Sequence, residues 1–130
     1  MSDYVIEVND LELKSGENYL LKDINWKVRK GEHWLVFGMN GSGKTTLLSI
    51  LAGFKHKSGG TVRLFGQEFT EENILAIRKR IGWISASFFD QIYKNESVIN
   101  IVLSGKFGTA GLDTGLTDND YKLAAVLLKD

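Results

Sequence analysis

Apolar residues recur at every second position early in the chain, at Tyr4, Ile6 and Val8 and then at Leu11 and Leu13, the period of a half-buried strand. Ser15-Gly16-Glu17-Asn18 reads as a hairpin turn, after which residues 19–28 return as further strand, broken near Lys22-Asp23. Arg29-Lys30-Gly31-Glu32 predicts another turn. His33-Trp34-Leu35-Val36-Phe37 has the β-branched and aromatic character of a short buried strand, and Leu47, Leu48, Ile50 and Leu51 follow at helical spacing, with Gly53 placed to end the helix. Ser58-Gly59-Gly60 punctuates before a strand over 61–65, and Gly66-Gln67 turns the chain again. Thr70 predicts a helix N-cap, Glu71 and Glu72 suit the first turn, Ile74, Leu75 and Ile77 form the apolar face, and Arg78-Lys79-Arg80 closes it. A strand is expected over 81–84, a helix over 98–103, and another from Thr117, with Asp120 placed for a capping box and Leu123, Val126 and Leu127 on its apolar side. That helical pattern is still running at Asp130, so the sequence predicts a piece of a longer domain.

Between the strand-like run and the first helix lies Gly38-Met39-Asn40-Gly41-Ser42-Gly43-Lys44-Thr45-Thr46. Gly38, Gly43, Lys44 and Thr45 fit G-x-x-x-x-G-K-[ST], the phosphate-binding P-loop or Walker A motif, in the strand–loop–helix setting it requires. Phosphate oxygens need several backbone N–H groups converging on one point, and a loop can wrap that closely only with positive φ angles and no Cβ in the way. Gly41 and Gly43 supply that freedom. The helix beginning near Lys44 aims its unsatisfied amides and positive dipole end at the anion. Lys44 reaches the β- and γ-phosphates, and the Thr45 hydroxyl is the expected ligand of a phosphate-bridging Mg²⁺. The expected ligand is therefore a nucleoside triphosphate with its Mg²⁺.

Composition narrows the rest. The 130 residues, 43% hydrophobic, suit one modest domain or part of a larger one, and sixteen basic residues balance sixteen acidic ones. No global field draws the chain to nucleic acid, so none is expected as a partner, and any polyanion site has to be local. The absence of cysteine excludes disulfides and thiolate chemistry. No signal-peptide pattern and no run of membrane-span length are present, which fits a cytoplasmic place. His33 and His56 have no second ligand at metal spacing, and Asp113, Asp118 and Asp120 do not match a calcium loop.

The stretch LLKDINWKVRKGEHWLVFGMNGSGKTTLLSILAG, Leu20 to Gly53, resembles the ATP-binding-cassette (ABC) ATPases. SGGTVRLFGQ, Ser58 to Gln67, resembles that family's following strand and turn, and IRKRIGWIS, Ile77 to Ser85, the approach to its Q-loop. The fold so implied is an α/β P-loop NTPase with an antiparallel β-subdomain and the start of a helical subdomain. Residues 1–87 would carry the N-terminal part of the core with Walker A, and 88–130 the beginning of the helical part.

The resemblance implies ATP hydrolysis in a full-length protein that energises transport, or alternatively a non-transport regulatory module acting by ATP-driven dimerisation. A GTPase or small-molecule kinase fits less well, because no guanine-reading N-K-x-D is present. The implied partners are a second ABC ATPase subunit and a transmembrane permease, at the cytoplasmic membrane face. Gly38, Asn40, Gly41, Ser42, Gly43, Lys44, Thr45 and Thr46 would bind the nucleotide, with Lys44 also catalytic, Thr45 on the metal and Asn40 near the γ-phosphate. Where such ATPases stack adenine on an aromatic, this sequence has Ser15, and Tyr19 is the nearest candidate. The Q-loop glutamine would follow Ser85, where Ala86 and Ser87 stand; Gln91 lies further on. LSGK, Leu103 to Lys106, lacks the rest of the family signature, and AVLLKD, Ala125 to Asp130, is interrupted by Lys129 as a Walker B strand would not be. The signature, Walker B and switch histidine are thus missing from these 130 residues, and the chain alone is expected to be inactive. The flanking strands of the P-loop strand would also come from later sequence, so residues 34–37 are expected to expose unpaired backbone and apolar side chains.

Overall fold

The computed structural model describes residues 3–85, 95–109 and 115–129. The chain divides into two compact units, Met1–Ile74 and Leu75–Asp130. In the first, β1 (Tyr4–Ser15) and β2 (Asn18–Arg29) form an antiparallel hairpin, β3 (Gly59–Leu64) pairs with the other edge of β1, and β4 (Gln67–Glu68) pairs with β3. The β3–β4 turn has positive φ at both Phe65 and Gly66, the twist that suits a two-residue hairpin loop.

The hydrophobic parity of β1 changes from even positions (Ile6, Val8) to odd ones (Leu11, Leu13), and a bulge absorbs the change. Asp10 and Leu11 together oppose Gly60 of β3, and Asn9 and Asp10 together oppose Asn25 of β2. Asp10 takes φ 48° there. The Asn25 side chain replaces the lost ladder: its Oδ1 accepts the Asp10 N–H at 3.0 Å, and its Nδ2 donates to Asp10 Oδ1 at 3.0 Å. With parity reset, Val8, Leu11 and Leu13 all reach one buried cluster. The expected break at Lys22-Asp23 is corrected by the same mechanism. The strand runs through, with Lys22 and Asp23 forming a second bulge between Leu21 and Ile24 and Asp23 at φ 53°.

Helix α1 (Lys44–Leu51) contributes Ile50 and Leu51 to that cluster, with Leu47 and Leu48 partly buried against it. Each such aliphatic side chain stabilises the unit by roughly 1.5–3 kcal/mol when fully buried. Gly53, at φ 77°, ends the helix as expected, its N–H bonded to Ile50 O at 2.9 Å.

Two expected strands are not observed. Residues 33–37 pair with no described strand, and Leu35 and Phe37 are 86% and 92% exposed. Residues 81–84 are likewise irregular, with Ile84 96% exposed. A strand is a pairing and not a property of one segment, so apolar β-branched sequence alone cannot make one.

Helix α2 (Ile74–Arg78) starts where Thr70 and Asn73 cap each other, Thr70 N–H to Asn73 Oδ1 at 2.9 Å and Asn73 N–H to Thr70 Oγ1 at 3.3 Å. In the second unit α3 (Val98–Ser104) begins at Ser97, whose Oγ accepts the Asn100 N–H, and α4 (Asp118–Leu127) begins at Thr117 with the expected capping box. Asp120 Oδ2 accepts from Lys106 Nζ at 2.8 Å, Thr117 N at 2.8 Å and Thr117 Oγ1 at 2.7 Å. These donors, Lys106 foremost, lower its pKa from 3.8 to about 2. Leu123, Val126 and Leu127 of α4 are exposed, and the buried residue of that helix is Ala124.

A Cβ added at Gly60, where φ is 76°, would lie 2.2 Å from the Asp10 carbonyl oxygen. Gly60→Ala is therefore expected to destabilise the β-unit by ~2–4 kcal/mol, read from urea unfolding. Because the Asp120 pKa is lowered on folding, its contribution is complete above its unfolded pKa and is lost as pH falls through about 4 towards 2. Helix content followed by circular dichroism should fall over that window in the parent chain more steeply than in Asp120→Asn.

Candidate functional site

Residues 38–43 form the loop that leads into α1, whose first turn begins at Lys44. Gly41 and Gly43 stand at φ 82° and 90°, the left-handed region that side chains disfavour. Gly43 is also the N-cap of α1 and has no side chain to occupy its mouth. The first intrahelical bond is donated by Leu47, to Gly43 O at 2.8 Å, so the amides of Lys44, Thr45 and Thr46 precede the helical ladder. These amides and the helix dipole make the mouth of α1 attractive to an anion.

The Lys44 ammonium folds back over the loop. Its Nζ donates to the carbonyls of Gly38 and Met39, both at 2.7 Å, and to Ser42 Oγ at 3.3 Å. An ammonium has three N–H donors, so the loop engages all of them and an incoming anion has to share or replace these bonds. Gly38 leaves room for the Ser42 hydroxyl, since a Cβ there would meet Ser42 Oγ at 2.9 Å.

An open pocket of about 280 Å³ is lined by Leu20, Asn40, Gly41, Gly43, Lys44, Thr45 and Thr46. The structure thus brings together six of the expected site residues; Gly38 and Ser42 act through their contacts with Lys44. Leu20 was not foreseen. It carries no polar group to betray a role, and it reaches the pocket because its neighbour Leu21 is the core residue against which Gly43 lies, with Leu21 Cδ2 2.7 Å from where a Gly43 Cβ would be. Tyr19 does not line this pocket. Its ring faces Lys14 Nζ at 4.6 Å and Lys22 Nζ at 5.1 Å from the centroid. Ala86, Ser87 and Gln91 lie outside the described residues.

The segment before this loop is attached to β2 by side chains. Glu32 Oε2 accepts the Arg29 N–H at 2.9 Å and the Trp34 Nε1–H at 3.0 Å, and the Trp34 ring meets Trp26 of β2 edge-on at 5.6 Å. The Arg29 amide first, then the indole, holds the Glu32 carboxyl below its ordinary pKa.

Among the described residues no group of three or more His, Cys, Asp or Glu could hold a metal ion. A metal here would need phosphate oxygens as ligands. The Thr45 hydroxyl, a hard oxygen donor on the pocket wall, fits a Mg²⁺ so bridged.

Comparison with known proteins gives a consistent result. The family model described as ABC transporter matches residues 21–126. The ABC transporter ATP-binding protein YlmA of Bacillus subtilis is 32% identical over 127 residues, covering 97% of this chain and 48% of that protein. The energy-coupling factor transporter ATP-binding protein EcfA1 of Fusobacterium nucleatum is 32% identical over 130 residues, covering 95% of this chain and 48% of its own length. The dimeric structure of MJ0796, a bacterial ABC transporter cassette, superposes with a TM-score of 0.71 at 25% identity, covering 95% of this chain and 56% of that one. The chain therefore spans about half the length of the curated relatives it matches.

Adding a Cβ at Gly43 would strain φ 90° and press on Leu21. Gly43→Ala should weaken binding of Mg·ATP by about tenfold while leaving α1 helical, measured by calorimetric titration beside circular dichroism.

Proposed function

Because this chain belongs to the ABC transporter family, we propose that it is the ATP-binding portion of a protein that hydrolyses ATP to energise transport across a membrane. The observation that carries this reading is the loop itself: two left-handed glycines, a helix mouth and an ammonium grouped around one open pocket. The amides of Gly41, Ser42, Gly43, Thr45 and Thr46 are the donors proposed for the phosphate oxygens. Lys44 exchanges its loop carbonyls for β- and γ-phosphate oxygens, and Asn40 lies on the γ-phosphate side. Thr45 Oγ1 would hold the Mg²⁺, which when bound neutralises charge between the phosphates. Tyr19 is the proposed adenine partner, one residue from the pocket wall at Leu20.

In this reading residues 1–87 belong to the ATPase core with its β-subdomain, and 88–130 open the helical subdomain. Hydrolysis, by in-line attack of water on the γ-phosphate, belongs to the whole protein. The described pocket lining holds no carboxylate to orient that water, so the 130-residue chain is expected to bind without turnover. A second ATPase subunit and a membrane permease are the proposed partners, as the names of the dimeric cassette and the energy-coupling factor relative suggest. No helix among the described residues is long and apolar enough to cross a membrane. The permease would supply the span, with this protein at the cytoplasmic face.

Lys44→Ala should weaken Mg·ATP binding by about tenfold or more, since a charge-assisted contact is worth ~1.5–3 kcal/mol, and should abolish hydrolysis in the whole protein. Unchanged turnover in that variant would refute the assignment. Tyr19→Ala should cost ~1 kcal/mol of ATP affinity if its ring stacks on the base. Equal affinity would leave it as a surface tyrosine held by Lys14 and Lys22.

A further inference from the structure

We propose that Asn40-Gly41 is a deamidation site within the phosphate loop, and that a bound triphosphate protects it. The protection rests on the reading of residues 38–46 as a triphosphate site. Asparagine is chemically labile when the backbone nitrogen of the next residue can reach its side-chain carbon, and a following glycine, with no Cβ in the way, opens that approach widest. Of the eight asparagines in the chain, Asn40 is the one followed by glycine. Asn9, Asn25, Asn73 and Asn100 differ from it twice over. Their side-chain amides donate to Thr61, Asp10, Glu68 and Glu96 respectively, and the residues that follow them carry side chains.

The backbone of the loop localises the reaction. The Ser42 N–H bonds to Met39 O at 3.2 Å and closes a four-residue turn with Asn40 and Gly41 at its centre. Gly41 stands at φ 82° while Asn40 keeps the negative φ of an ordinary residue, the combination of a type II turn. Lys44 Nζ holds the carbonyls of Gly38 and Met39, both at 2.7 Å, so the turn is pinned on either side of its central peptide. That peptide, the Asn40 C=O and the Gly41 N–H, takes no part in the turn bond and can rotate without breaking it. Rotation brings the Gly41 nitrogen to Asn40 Cγ.

In the reaction the Gly41 nitrogen gives its proton to solvent base and bonds to Asn40 Cγ, the Cγ–Nδ2 bond breaks, and ammonia leaves. Water then opens the cyclic imide at either carbonyl, leaving aspartate or isoaspartate at position 40. Both products set a carboxylate on the pocket that Asn40, Gly41 and Lys44 line together, where it repels a polyphosphate. Isoaspartate also lengthens the backbone of the turn. A triphosphate that accepts the Gly41 N–H opposes both the rotation and the loss of the proton, so occupied loops keep the amide and unoccupied ones age.

The test is incubation of the full 130-residue chain in mildly alkaline buffer, with and without Mg²⁺ and the β,γ-imido analogue of ATP. Peptide mass spectrometry and isoaspartate-specific methyl labelling follow each asparagine, and calorimetry on the fresh chain measures binding of the analogue beforehand. Asn40 should lose its amide ahead of every other asparagine. The analogue at roughly ten times its Kd should slow that loss about tenfold, because only the unbound fraction reacts, and should leave the other asparagines at their own rates. Asn40→Asp should bind the analogue about tenfold more weakly than the parent chain. No binding to the fresh chain refutes the triphosphate site, and the protection with it. Binding accompanied by an unslowed loss, slowing common to all asparagines, loss first at another asparagine, or parent-like affinity in Asn40→Asp overturns the proposal alone.

Discussion

The site depends on how closely the loop crosses strand β2 at Gly43. A Cβ built on Gly43 would sit 2.7 Å from Leu21 Cδ2 and 3.4 Å from Leu20 O, so the loop backbone and the strand are already in contact. Leu21 is a core residue, packed in the same cluster as Ile50 and Leu51 of α1. Burial of the helix and placement of its mouth are thus one event. The hydrophobic effect that seats α1 on the sheet also decides where the amides of residues 44–46 point, and Leu20, one residue along the strand from Leu21, becomes a wall of the pocket.

Electrostatics at this site is local. The chain has no net charge, so attraction for a polyanion comes from the helix mouth, the left-handed glycines and one ammonium. The ammonium is bonded to the loop's own carbonyls, which holds Lys44 on the wall of the pocket.

Features that arise from local chemistry were legible in the sequence. The Thr117–Asp120 capping box, the Thr70 cap, the stop at Gly53 and the left-handed glycines Gly41 and Gly43 each follow from a few neighbouring residues whose hydrogen bonds or φ preferences act within a turn. Features that need a distant partner were not. The run 81–84 has strand composition but no described strand to pair with, and the apolar positions of α4 have no described cover, whereas the exposure of residues 34–37 was expected. The bulges fall between these cases. The parity change from Val8 to Leu11 was visible in the residues, but its meaning emerges only with Asn25 and Gly60 placed opposite. Leu20 was illegible for a similar reason, since its role comes from its neighbour's packing.

The central claim, that residues 38–46 cradle a triphosphate, is tested most directly by following backbone amide resonances of the chain during titration with Mg·ATP and, separately, with adenosine. The account predicts that the amides of Gly41, Gly43, Lys44, Thr45 and Thr46 shift together and saturate with Mg·ATP while adenosine at the same concentration leaves them in place. Shifts confined to other parts of the chain, or an equal response to adenosine, would contradict it.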